Sequence, residues 1–186
     1  MNIDFENLNT RFIGNISNMF CDNSSIKTLK ISNFNTSKIR LAHGMFRDCT
    51  KLESIDLLAL DTQSMENINS MFANCGKLVE LDLSGFNTSK VQNMNSLFDG
   101  CSRLENLNIS SFNTSNVKSM MYMFYGCSRL TELDLSNFDM NRVENMYGMF
   151  AGCTGLRLVT LPTDKKSRKK LLWQLNKVIT PSCKVL

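Results

Sequence analysis

The sequence predicts an α/β solenoid, a leucine-patterned superhelix with short parallel strands on one face and short helices on the other, and three observations predict it. Sliding the chain against itself by 26 residues brings Cys49, Cys75, Cys101, Cys127 and Cys153 into one column. Ahead of that column stand Phe20, Phe46, Phe72, Phe98, Phe124 and Phe150, each preceded by Met19, Met45, Met71, Leu97, Met123 or Met149. Behind it, Leu52, Leu78, Leu104, Leu130 and Leu156 lead into spaced apolar pairs such as Leu81 and Leu83, Leu107 and Ile109, Leu133 and Leu135. The register extends backward, Ile3, Phe5, Leu8 and Ile13 matching Leu29, Ile31, Phe34 and Ile39. The array therefore spans 1–161 in about six repeats, and 162–186 forms a basic capping segment.

Each unit begins with a strand. Leu-Asp-Leu at 81–83 and 133–135 alternates apolar with polar, as a short strand with one buried face should. Asn35, Asp61, Asn87, Asn113 and Asp139 follow the strand region and are expected to bond their own backbone in a turn. Val117, Met120, Met123 and Phe124 then recur at three- and four-residue spacing, which predicts a short helix capped by Thr114 or Ser115. The column Asp22, Asp48, Asn74, Gly100, Gly126 and Gly152 marks the helix end, because all three residue types tolerate the left-handed conformation. One such unit buries too few side chains to offset the entropy of ordering its backbone, so units must stack on one another.

The string L-x-x-L-x-L, as in Leu78-Val79-Glu80-Leu81-Asp82-Leu83, is the strand signature of leucine-rich repeats. The whole unit resembles the BspA-like leucine-rich repeats of bacterial surface proteins, M-F-x-G-C-S-x-L-x-x-L-D-L-S-x-F-N-T-S-x-V-x-x-M. That string runs almost intact from Met71 to Met94, from Leu97 to Met120 and from Met123 to Met146. The resemblance implies a noncatalytic module at a cell surface or secreted, engaged in adhesion or in binding host or neighbouring-cell proteins. The alternative is a cytoplasmic scaffold protein, held at a membrane by its basic tail. No apolar run reaches the length of a spanning helix, and the first residues lack the pattern of a secretory leader.

Chemistry-bearing residue types fall into structural columns. Ladder-stacked cysteines point in parallel and oppose the torsion of a disulfide, and they lack the clustered spacing of a zinc site, so they are expected as buried free thiols. Cys21 and Cys183 lie outside the ladder. Most of the twelve methionines occupy apolar-facing columns and are expected in the core. The single histidine, His43, shares a column with Ser17, Asn69, Asn95, Met121 and Tyr147, an outer face exposed to solvent. No catalytic constellation, phosphate loop or metal motif is visible, and neither enzymatic activity nor a cofactor or metal is expected.

The outward positions of the strands are where a partner would bind. They carry Asp56, Glu80, Asp82, Asn106, Asn108, Glu132 and Asp134, flanked by a row of Lys51, Lys77, Arg103 and Arg129. A polar strip of this kind suits a protein ligand lying along the strands. Charge is otherwise uneven, at +6 for 162–186 and −2 for the rest. Lys165, Lys166, Arg168, Lys169 and Lys170 precede the apolar spacing of Leu171, Leu172, Leu175, Val178 and Ile179, and Trp173 lies among them. This describes an amphipathic helix that covers the final coil, its basic cluster free to contact a membrane or an acidic partner. Nucleic acid is not expected, because the body is slightly acidic and no reading motif is present. At the other end Ile3, Phe5, Leu8 and Phe12 have no coil above them, so end-to-end self-association or a longer array is expected.

Overall fold

The computed structural model describes residues 2–4, 10–32 and 34–186. Among them, strands β1 (Asn2–Asp4), β2 (Thr28–Ser32), β3 (Ser54–Asp56), β4 (Glu80–Asp82), β5 (Asn106–Asn108), β6 (Glu132–Asp134) and β7 (Leu158–Thr160) are followed by helix α1 (Lys165–Leu175) and strand β8 (Lys184–Val185). All pairing is parallel, in three short sheets ordered β1-β2-β3, β4-β5 and β6-β7-β8. Leu29 faces Ile55, Leu81 faces Leu107 and Leu133 faces Val159, each one repeat along the chain.

The first strand departs from this register. Ile3 pairs with Ile31, not with Leu29 as the repeat alignment expects. A shift of two residues preserves the alternation of faces, so it is the smallest slip that keeps the same side inward. From Thr10 onward the repeat register holds, since Thr10 Oγ1 accepts from Asn35 N as Thr36 Oγ1 accepts from Asp61 N. Phe5 and Leu8 lie outside the described residues.

The helices expected opposite the strands are not helices. From Met120 to Cys127 the chain makes successive tight turns, Met123 N, Tyr125 N and Cys127 N donating to the carbonyls of Met120, Tyr122 and Phe124. The intervening amides donate outward, from Met120, Tyr122, Phe124 and Gly126 to the carbonyls of Asn145, Tyr147, Met149 and Ala151 in the next coil, at 2.8–2.9 Å. An α-helix would consume those amides internally; turns free every second one for the neighbour. Three- and four-residue apolar spacing arises equally from consecutive turns, which is why it reads as helical. Left-handed residues sit at the third position of every second turn, as type II geometry requires. One set is the predicted column from Asp22 to Gly152, and the other is Asn18, Gly44, Ser70, Ser96, Tyr122 and Gly148. Thr114 and Ser115 cap no helix, for Thr114 is buried between coils and the Ser115 hydroxyl donates to Asn113 Oδ1.

Between the two sides, side chains stack by type. The rings of Phe20, Phe46, Phe72, Phe98, Phe124 and Phe150 lie nearly parallel with centroids 5.5–6.0 Å apart. All seven cysteines are free, and the five of the ladder are buried. Each ladder thiol donates to the carbonyl of a phenylalanine in the preceding coil, as from Cys101 to Phe72 and from Cys127 to Phe98 at 3.1 Å. A second buried polar column runs Thr10, Thr36, Thr62, Thr88, Thr114. Thr88 Oγ1 accepts from Asn113 N at 2.8 Å and donates to Asn113 O at 3.0 Å, and the arrangement repeats at Thr114 and Asp139. The asparagine and aspartate column closes each corner, Asn87 Oδ1 and Asn113 Oδ1 accepting from Ser89 N and Ser115 N.

Where the column reaches Met140 it has no hydroxyl, and α1 supplies one. Buried Ser167 Oγ accepts from Met140 N at 2.9 Å. Asp164 caps the helix by accepting from Ser167 N, and Leu171 and Leu175 are fully buried against the last coil. The basic cluster lies within the first turns of α1 and does not precede it; the Asp164 carboxylate offsets the macrodipole cost.

Replacing Thr88 by Val keeps the shape but strands a buried amide and carbonyl, and should lower unfolding free energy in urea by about 1–3 kcal/mol. Exposed Ser89→Ala should cost less. Burial also pushes the ladder thiols up, Cys49 to about 11 and Cys153 to about 12, with Cys101 and Cys127 well above the ordinary 9.0. Their contribution to stability is complete below that ordinary value, and it declines as pH rises past it because only the unfolded chain then ionises. Urea midpoints should therefore fall at alkaline pH, and less steeply in Cys101→Ala than in the parent.

Candidate partner-binding face

Strand alternation turns one side chain inward and its two neighbours out, so in β4, β5 and β6 the centre of the strand is the more buried while its flanks face solvent. Across β3 to β6 these flanks border a shallow groove of about 590 Å³, and Glu80, Asp82, Asn106, Asn108 and Glu132 line it. Glu105, at the entrance to β5, lines it too. Its column reads Glu53, Val79, Glu105, Thr131 and Arg157, too mixed to stand out in the sequence. Asp56 and Asp134 flank the groove without lining it.

The predicted residues divide by what already holds them. Asp56, Asp82, Asn108 and Asp134 each accept, through Oδ1, the backbone amide two residues on: Leu58, Ser84, Ser110 and Ser136. They close the turn that ends the strand. The Leu58 amide, aided by Lys30 at 3.1 Å, holds the Asp56 carboxyl below its usual range, and the Ser84 amide does the same for Asp82. Glu80, Asn106 and Glu132 are exposed, and among the described residues their side chains meet no hydrogen-bond partner. Of the flanking cations, Arg129 pairs with Glu105 at 3.1 Å. The groove thus presents four carboxylates and two amides.

The C-terminal cations divide in the same way. Lys165, Lys166 and Lys169 are exposed. Arg168 Nη1 donates to Leu186 O at 2.9 Å, and Lys170 Nζ donates to the carbonyls of Met140 and Val143, both at 2.8 Å. These two side chains tie α1 to the C-terminus and to the last coil, which leaves Lys165, Lys166 and Lys169 as the exposed members of the five. His43, expected in open solvent, is half-buried with Nδ1 2.8 Å from Ser17 Oγ in the preceding coil. Cys21, Asp22 and Asp48 lie close enough to share an ion, but burial and the Asp22 carboxylate push the Cys21 thiol up, and Arg47 already pairs with Asp48. Among the described residues no helix is long and apolar enough to cross a membrane.

This geometry has counterparts among known proteins. The family described as Mycoplasma protein of unknown function, DUF285, matches residues 1–82 and 77–165. No curated protein matches the chain. A leucine rich cell surface protein from Faecalibacterium prausnitzii A2-165 superposes with a TM-score of 0.57 at 20% identity, over 88% of this chain and 45% of that one. A leucine-rich repeat protein from Bacteroides ovatus ATCC 8483 gives 0.24 at 18% identity, over 81% and 59%. The likeness to the first is one of fold, and this chain spans less than half of that protein's length.

A capping role for Lys170 predicts that Lys170→Met, which keeps the stem but removes two charged hydrogen bonds, lowers stability by about 1–3 kcal/mol in chemical denaturation. Lys169→Met at an exposed site should leave the midpoint nearly unchanged. Equal effects of the two would remove the distinction.

Proposed function

The chain belongs to the DUF285 family, and from that premise we propose that it is a noncatalytic protein-interaction module, a leucine-rich-repeat solenoid displayed at a cell surface. The observation that carries this reading is the polar groove along β3 to β6, where Glu80, Asn106 and Glu132 are exposed yet given no task by the fold. Side chains that stabilise nothing internally are available to a ligand without cost to folding. Four carboxylates, Glu80, Asp82, Glu105 and Glu132, stand among lining residues that include no Lys or Arg, and among the described residues Glu105 alone of the four is paired, with Arg129. The partner is therefore an extended protein segment rich in Lys or Arg, drawn in by charge and held along the strands. The cell-surface assignment rests on the resemblance to surface-protein repeats and on the fold shared with the Faecalibacterium protein. A membrane-held cytoplasmic scaffold has weaker support, because Arg168 and Lys170 are already engaged within the cap.

Selection of a random peptide library on the immobilised protein should enrich basic sequences, and added salt should weaken their binding. The double substitution Glu80→Lys with Glu132→Lys should abolish that enrichment while leaving the thermal midpoint within a degree or two of the parent. Enrichment of neutral or acidic peptides, or basic peptides captured equally by the charge-reversed protein, would reject the strand-face reading.

A further inference from the structure

A second recess, of about 570 Å³, lies on the turn side of the last coils where they meet α1. Its lining includes Asp99, Tyr122, Tyr125, Tyr147, Gln174 and Lys177. A further recess of about 470 Å³ is also bordered by Tyr147, Gln174 and Lys177, and adds Trp173. Both volumes are of the size that takes small ligands.

Three features mark this corner as constructed. Tyr122 holds a φ of 54°, which bulky side chains avoid. Its ring stands at 89° to those of both Tyr125 and Tyr147, with centroids 5.6 and 5.5 Å away. The close approach requires glycine at 148, where a Cβ would come within 2.6 Å of the Tyr122 ring. Second, Tyr147 is 66% and Trp173 61% exposed, leaving aromatic surface the core does not use. Third, Gln174 is only 5% exposed and lines both recesses; its side-chain amide makes no hydrogen bond among the described residues and reaches solvent. An amide with no partner inside the protein and little open surface is free to bond a ligand that brings both a donor and an acceptor.

We infer that this corner binds an uncharged saccharide, with the sugar's C–H face on the exposed tyrosine and tryptophan rings and its hydroxyls on Gln174, Asp99 and Lys177. A hydroxyl both donates and accepts, as the Gln174 amide does. Asp99 already accepts from Ser96 Oγ at 3.1 Å through one oxygen, leaving the other for a sugar hydroxyl. Lys177 Nζ rests 3.2 Å from the centre of the Trp173 ring, a cation–π contact that places its ammonium at the border of both recesses. The single carboxylate and the ammonium in the larger recess cancel, which disfavours a cation beside Lys177 and an anion beside Asp99. Neither the strand face nor its peptide partner enters this inference.

The test is titration of the full chain with chitotetraose, cellotetraose and maltotetraose, read by saturation-transfer NMR and by the fluorescence of Trp173, the one tryptophan. At least one should show transfer to its C–H protons together with a change in emission. Tyr147→Ala and Gln174→Leu should each weaken that binding by about tenfold. Gln174→Leu should melt no lower than the parent, since its amide makes no hydrogen bond within the described residues; a structural glutamine would give a lower midpoint and count against the site. Glu80→Lys with Glu132→Lys should bind saccharide as the parent does, which separates this site from the strand face. No transfer with any of the three sugars, or affinity retained in Tyr147→Ala and Gln174→Leu, would overturn the inference.

Discussion

Every coil of this protein borrows its hydrogen bonds from the coil beside it. A short strand offers amides and carbonyls on two edges, and a run of tight turns satisfies only every second amide within itself. The remainder must find partners one repeat away. That single requirement fixes the repeat length, because an insertion or deletion would misalign both the strand side and the turn side. It also explains the preference for turns over helices, since a helix would close its backbone on itself and leave the neighbouring coil with nothing to bond.

Polar residues enter the interior for the same reason. Buried threonines usually raise the question of how they are paired; here Thr62, Thr88 and Thr114 act as bridges, accepting an amide and returning a proton to a carbonyl of the next coil. The ladder cysteines combine two properties that alanine and serine divide between them. They pack as small apolar groups beside the phenylalanine stack, and their thiols donate to backbone carbonyls. The cap continues this logic at the end of the array, where Ser167 supplies the hydroxyl that Met140 lacks and Lys170 donates to the carbonyls of Met140 and Val143, the first of which also accepts from Val143 N.

What remains for interaction is whatever the ladders do not occupy. On the strand side the aspartate and asparagine column is committed to closing turns, so the glutamates and Asn106 are the more available contacts. On the turn side, an exposed aromatic surface forms at Tyr125 and Tyr147, both packed on Tyr122, beside the helix that ends the array. Specific recognition thus falls where the repeat varies, since identical coils offer identical chemistry along their length.

The sequence by itself determined the repeat, the strand register from β2 onward, the buried phenylalanine and cysteine columns, the corner asparagines and the left-handed positions that end each turn run. These follow from the identity of side chains one repeat apart, and each column speaks through several members at once. Only tertiary structure decided that the three- and four-residue spacing belongs to turns, because helices and consecutive turns bury the same positions and differ in where their amides point. It also decided the two-residue shift of β1, the engagement of Arg168 and Lys170, the place of Glu105 in the groove and the unpaired amide of Gln174. Those depend on contacts between segments whose letters carry no period, Leu186 beside Arg168 or Tyr147 beside Gln174, and proximity of that kind is set by packing, not by pattern.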